Sequence, residues 1–210
     1  MSAKARKKIE EAVDASTEER IKEAARKVFT TKGFAAARTR DIAEEAGINL
    51  ALLNYYFRSK EKLFELIMLE NIQQFIRGIK EIIMEEETDL KDKIERISSF
   101  YIDMLIRNPD LPLFILSELR ANPDHLADRL DIKDVLRKSQ FFKQLAEKAK
   151  AQGVNPMQYF MNMMAMIVFP FVASPLLRKV GNLKPEEFTA LMMERKKWIA
   201  KWIDAMLKIK

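Results

Sequence analysis

Residues 47–64 read GINLALLNYYFRSKEKLF, and the way this stretch is read decides the fold. Gly47 supplies a turn, Asn49 is a cap residue, and Leu50 to Phe57 is a short helical run. Ser59 opens a second helix start. The run carries Leu50, Leu52, Leu53, Asn54, Tyr55 and Tyr56 together, with Arg58, Lys60 and Lys62 crowded at its end. A helix sealed in a core would exclude the asparagine and the cations. A helix in free water would exclude the leucines and tyrosines. One face must therefore pack on protein while the other meets a partner that accepts apolar, amide and cationic groups.

Working outward, the flanks are helical. Ile21, Ala24, Ala25, Val28 and Phe29 recur at i, i+3, i+4, i+7 and i+8, one apolar stripe. Ser16 and Glu19 have capping-box spacing and set the expected start of that helix, and Gly33 can take the left-handed conformation that ends it. Thr39 is the expected cap of a second helix, Arg40 to Ala46, whose Ile42, Ala43 and Ala46 face inward. Ser59 opens a long helix to about Glu85. Beyond a polar break at 85–88, a helix over 90–107 stops at Asn108-Pro109, because the residue before proline avoids the α region. A short helix follows over 112–121. Asn122-Pro123 and Asn155-Pro156 each put a cap before a proline at the first helical position. They open helices near 124–152, interrupted around Asp131, and 157–177, bent at Pro170 and Pro175. Pro185-Glu186-Glu187 starts the last, to about Ile209. The expectation is an all-α chain of about nine helices, with no convincing strand and no internal repeat.

The bulk numbers agree with this reading and remove other classes. The 210 residues are 48% hydrophobic and 32% charged, enough to bury one large core or two small ones. Five glycines are few for glycine-rich phosphate loops, and the absence of cysteine removes thiol nucleophiles, thiolate metal sites and disulfides. His125 is the only histidine; with no second ligand at metal spacing it reads as structural or exposed. No metal, no cofactor and no enzymatic constellation are expected. No apolar run approaches the ~20 residues that span a bilayer, and the first residues lack the apolar stretch of a secretory signal, so the expected location is the cytoplasm. The formal charge is +6, and residues 1–64 hold 14 Lys and Arg against 10 Asp and Glu. A small basic unit is thus joined to a larger helical body, which suits a polyanionic partner. The expected divisions are a basic extension over 1–16 carrying Lys4, Arg6, Lys7 and Lys8, a DNA-binding unit over 17–64, and a helical body over 65–210.

Two short helices joined by a glycine turn after a longer amphipathic helix form a helix-turn-helix pattern, and the second helix of such a unit lies in the DNA major groove. Ile48, Leu53 and Phe57 can pack inward. Asn54 can pair with an adenine edge, and Leu50, Ala51 and Leu52 can touch thymine methyls. Tyr55 and Tyr56 can lay rings near sugars and point hydroxyls at phosphates. Lys60 at the start of one helix, and Thr39 with Arg40 at the start of another, suit phosphates because helix N-termini present free N–H groups.

The stretch TEERIKEAARKVFTTKGFAAARTRDIAEEAGINLALLNYYFRSKEKLFELIM, residues 17–68, closely resembles the N-terminal domain of TetR-family transcriptional regulators. It shows the family's A-x-x-x-F-x-x-K-G-F at 25–34, a variant of its T-x-R-x-I-A-x-x-A-G-I across 38–48, and its Y-Y-F-x-S-K-E-x-L at 55–63. The resemblance implies an all-helical repressor, usually a homodimer, with a C-terminal ligand domain. It also implies DNA contacts at positions matching Thr39, Arg40, Leu50, Ala51, Leu52, Asn54, Tyr55, Tyr56 and Lys60. Where many relatives carry Lys-Gly-Thr-Leu-Tyr, this chain has Leu50-Ala51-Leu52-Leu53-Asn54, which changes the groups offered to bases.

The larger body matches no motif residue by residue. Its 157–171 segment is apolar on more than one face, so it must be buried all round, and its methionines adapt to variable apolar shapes. Tyr101, Phe114, Phe141, Tyr159, Phe160, Met163, Met164 and Ile167 are the candidates for lining a pocket for a small apolar or amphipathic effector. Met166, Phe169, Leu191, Met192, Ile199, Trp202, Ile203 and Met206 are the candidates for a homodimer interface built from the 157–177 and final helices. The reading that competes with a ligand-responsive regulator is a peripheral membrane or lipid-carrying helical protein, prompted by the same Met-Phe segment and the positive charge.

Overall fold

The computed structural model describes residues 3–121 and 132–208, and among them the fold is all-α, with eleven helices. In chain order these are α1 (Ala3–Ala36), α2 (Thr39–Glu45), α3 (Leu50–Phe57), α4 (Lys60–Met84), α5 (Leu90–Arg107), α6 (Leu111–Ala121), α7 (Ile132–Lys138), α8 (Gln140–Lys150), α9 (Pro156–Val172), α10 (Ser174–Val180) and α11 (Pro185–Met206). His125 lies outside the described residues. The chain divides into two compact units, Met1–Asn71 and Ile72–Lys210, and α4 runs across the division.

In the first unit, α1 begins well before Ser16. Residues 3–15 contain neither proline nor glycine, so nothing stops helical propagation and no cap is needed at Ser16. Residues 3–16 of the expected basic extension are backbone continuous with α1. Gly33 does take positive φ (73°), yet the chain turns helically once more before it leaves at Ala36. The apolar stripe buries Ile21, Ala25 and Phe29, and Ile42, Leu53, Leu63 and Ile67 of the other three helices are buried as well. Each such burial is worth about 1.5–3 kcal/mol. A charged clasp fastens α1 to α4 beside this core: Glu70 accepts from Lys22 at 2.9 Å and from Arg26 at 2.6 Å.

The starts of α2, α3 and α4 position the candidate site. Thr39 is the first helical residue rather than the cap; the cap is Arg38, whose backbone N–H donates to the Asp41 carboxylate at 3.0 Å. That N–H, together with Lys32, holds Asp41 below the usual carboxylate range. Gly47 has φ of 63°, the left-handed turn that a side chain would strain. Asn49 caps α3 as expected, accepting the N–H of Leu52 at 2.8 Å, and the Ser59 hydroxyl accepts the N–H of Lys62 at 3.2 Å.

In the second unit α5 packs mainly along α11, and also against α8 and α9. Ile94, Ile102 and Leu105 of α5 share a core with Leu145, Ile167 and Ile203. The turn between α4 and α5 is tied down at one atom: the Thr88 carbonyl accepts from the Gln144 side chain at 3.0 Å and from the buried Lys93 ammonium.

Two expected helices are divided, which raises the count from nine to eleven. Ser139 separates α7 from α8, its hydroxyl donating to the Leu136 carbonyl at 2.6 Å and accepting the Phe142 N–H at 3.1 Å. The other division falls at Ala173, where α9 and α10 meet at 73° ahead of Pro175. At Pro170, the other expected bend, the helical hydrogen-bonded run of α9 continues to Val172. Proline there leaves the Met166 carbonyl without its i+4 donor, and the Arg195 side chain supplies one through Nε at 2.8 Å. No single described helix is long and apolar enough to cross a bilayer.

Candidate functional site

The turn, caps and core above leave α3 with two unlike faces. Leu53 and Phe57 are buried and Ile48 is half-buried behind the turn. Ala51 and Asn54 are exposed, Tyr55 is 74% exposed, and Leu50 and Leu52 are half-buried at the rim. Tyr55 and Tyr56 meet edge to face, centroids 5.4 Å apart. Arg40 is exposed at the first turn of α2, with Thr39 half-buried beside it. Arg40, Arg58 and Lys62 are all exposed, and none has an ion-pair partner among the described residues. The cations of α1 differ: Lys22 and Arg26 are neutralised by Glu19 and Glu70.

Two groups that the sequence aimed at phosphates are engaged elsewhere. The Lys60 ammonium donates to the carbonyls of Phe34, at 2.9 Å, and Ala37, at 3.1 Å, and lies 4.2 Å from the centre of the Phe34 ring. It closes the C-terminal end of α1, where helix carbonyls lack internal donors. One of its three N–H groups remains for another acceptor. The Tyr56 hydroxyl donates to Asp14, and that carboxylate, by accepting the proton, raises the phenol above its ordinary pKa. Its oxygen then has only acceptor capacity left, which a phosphate cannot use. The spacing of the sequence contains no sign of either contact, because both partners lie more than twenty residues away in the chain.

The second unit contains a part-open cavity of about 180 Å³. Of the expected lining residues, Tyr101, Phe141, Phe160, Met163 and Met164 meet on its wall. Phe114, Tyr159 and Ile167 do not: Tyr159 is buried with its hydroxyl donated to Gln152, and Ile167 is wholly inside the core. The sequence reading missed the contribution of α4, which supplies Phe75, Ile76, Ile79 and Ile83. Their spacing, i, i+1, i+4 and i+8, is a legible apolar stripe, but it lay in a helix read as a connector. Ile97, Val135 and Leu136 complete the wall.

The expected dimer residues separate into two sets. Met192, Ile199 and Ile203 are buried within the chain, which corrects their assignment: they are on the side of α11 that packs on α5, so no partner can reach them. Phe169 (60% exposed), Leu191 (46%) and Trp202 (36%) are open, with Met166 and Met206 half-buried. Trp198, left out of the expected set, is exposed and stacked on Trp202 with centroids 6.2 Å apart.

Residues 21–67, the segment that builds this two-faced α3, match the family model described as bacterial regulatory proteins, tetR family. These residues carry the N-terminal domain of the TetR family. Among curated relatives, the probable HTH-type transcriptional regulator YttP of Bacillus subtilis is 24% identical over 88% of this chain and 92% of its own. The HTH-type transcriptional repressor NicS of Pseudomonas putida is 30% identical over 49% of this chain; the match spans 48% of NicS, about half its length. Among solved structures, the transcriptional regulator FadR from Bacillus subtilis, in complex with stearoyl-CoA, superposes with a TM-score of 0.52. It covers 87% of this chain and 97% of that one at 18% identity, a likeness of fold.

Proposed function

We propose that this chain is a ligand-responsive repressor: a homodimer that holds an operator through two copies of α3 and leaves it when a small, largely apolar effector enters the second unit. The first unit is the reader and the second the sensor and dimerisation body. The observation that carries the reading is the outward face of α3, where Ala51, Asn54 and Tyr55 stand in solvent next to unpaired Arg40, Arg58 and Lys62. A short helix whose apolar half is sunk and whose other half is polar, aromatic and ringed by cations fits a major groove better than a membrane, which would need a continuous apolar face. In this reading Arg40 and the third N–H of Lys60 meet phosphates and Asn54 reads a base edge.

The test is duplex binding at two salt concentrations. Affinity falls as salt rises if phosphates are neutralised. Arg40→Ala weakens binding to all duplexes alike and lowers the salt slope by about one, whereas Asn54→Ala changes the preferred sequence at a cost of about 1–3 kcal/mol at one base pair. Salt-independent affinity, or an unchanged preference in Asn54→Ala, contradicts the assignment.

A further inference from the structure

The cavity in the second unit has a chemistry that narrows its occupant. Among the described residues its wall is apolar except for one hydroxyl, that of Tyr101, and none of them brings a charged side chain to it. Phe75 meets the Tyr101 ring edge to face at 4.4 Å and is itself stacked on Phe100 at 5.6 Å, so the phenol packs on one aromatic neighbour that a second one backs. Among the described residues the Tyr101 hydroxyl has no hydrogen-bond partner. Burial pushes its pKa up to about 12; at neutral pH it is a protonated donor waiting for an acceptor. A ligand that accepts from it makes a hydrogen bond, in apolar surroundings, that the described residues do not supply.

Resting on the reading of this cavity as the effector site, we propose that it takes a compact neutral molecule, one ring with a short substituent, carrying a single hydrogen-bond acceptor for Tyr101. Size sets the first limit. A cavity of about 180 Å³ is near the ~150 Å³ apolar cavity that accepts benzene, and below the ~300 Å³ at which pockets for drug-sized ligands begin. Charge sets the second. A carboxylate or phosphate here would lose its hydration and find no cation among the described residues of the wall, a cost far above what one phenol returns. The long acyl chain and phosphates of a ligand such as the stearoyl-CoA held by FadR exceed both limits. Met163 and Met164 lend the wall some tolerance in shape, but none in charge.

The experiment is calorimetric titration of the full chain with three probes of one shape: acetophenone, a neutral acceptor; ethylbenzene, with no acceptor; and benzoate, charged. Acetophenone binds, Tyr101→Phe weakens it about tenfold, and the same variant leaves ethylbenzene within twofold. Benzoate binds at least a hundredfold more weakly than acetophenone. Ile79→Phe, which fills the cavity, abolishes binding of both neutral probes. The proposal is overturned by benzoate binding as well as acetophenone, by acetophenone indifferent to Tyr101→Phe, or by neither neutral probe binding to a chain whose circular dichroism and melting are native. Operator affinity is measured in parallel. Tyr101-dependent binding that leaves the operator held sinks the effector reading and keeps the cavity chemistry. Release by a ligand indifferent to Tyr101 does the reverse.

Discussion

Lys60 shows how one side chain can serve the reading surface through structure as well as through any phosphate its third N–H meets. Its ammonium closes two carbonyls at the end of α1 and lies over the Phe34 ring, and Phe34 in turn packs on Phe64, centroids 4.4 Å apart. The residue therefore sets the angle at which α4 leaves the turn after α3. Charge-assisted hydrogen bonds of this kind contribute about 1.5–3 kcal/mol each at most, and part exposure reduces that. Lys60→Met, which keeps the stem and deletes the charge, should destabilise the first unit by about 1–2 kcal/mol, read as a lowered melting temperature. It should also weaken every duplex similarly. A variant with unchanged melting but weaker binding would return Lys60 to the simple phosphate role that the sequence suggested. Tyr56 makes the same point with the opposite sign: its hydroxyl is committed to Asp14, so Tyr56→Phe should cost DNA affinity less than loss of the exposed Arg40.

At the scale of elements, α9 survives a proline because a side chain from another helix replaces the missing hydrogen bond. Arg195 donates to the carbonyl that Pro170 orphans, while its guanidinium also lies 4.9 Å from the Trp202 ring centre. Arg195→Met leaves a buried acceptor without a donor, a loss of about 1–3 kcal/mol. Pro170→Ala restores a backbone N–H to that carbonyl, so in the Arg195→Met background it should recover about 1 kcal/mol, and in the parent background much less. Equal effects of Pro170→Ala in both backgrounds, by thermal or urea unfolding, would show that the two residues are not coupled. This is also where the sequence stops being legible. The caps at Asn49, Ser59 and Asn155 act over two to three residues and were readable. Helix continuation through Pro170 depends on a partner 29 residues away in sequence, and the Phe75–Ile83 wall of the cavity depends on what α4 packs against. Local patterning carried the all-α class and the two-faced reading helix; it could not assign a donor or a neighbour that only tertiary structure supplies.

As a repressor released by a ligand in the cavity, the function proposed above, the molecule would convert occupancy into a change at DNA, and symmetry is the natural means. Reading helices paired across a two-fold meet successive major grooves when they stand about 34–36 Å apart. An effector shifts that spacing only by its differential affinity for the two arrangements, and about 5.5 kcal/mol of difference carries a 1:99 mixture to 99:1. A cavity built for a small neutral molecule can provide a few kcal/mol of such difference, so the dimer's two arrangements must lie close in energy. The face we propose for dimerisation is the outer stripe of α11, Leu191, Trp198 and Trp202, with Phe169 of α9, all exposed while Met192, Ile199 and Ile203 are buried in the chain. Large exposed aromatics in one stripe are the usual anchors of protein interfaces. Phe169→Glu together with Trp202→Glu should therefore give monomers in sedimentation velocity, with helical content and the core unchanged, and should cost operator affinity far more than it costs binding to a single half-site. A double variant that still sediments as a dimer would move the interface elsewhere. Monomers that bind the full operator as well as the parent does would remove the two-fold from the mechanism.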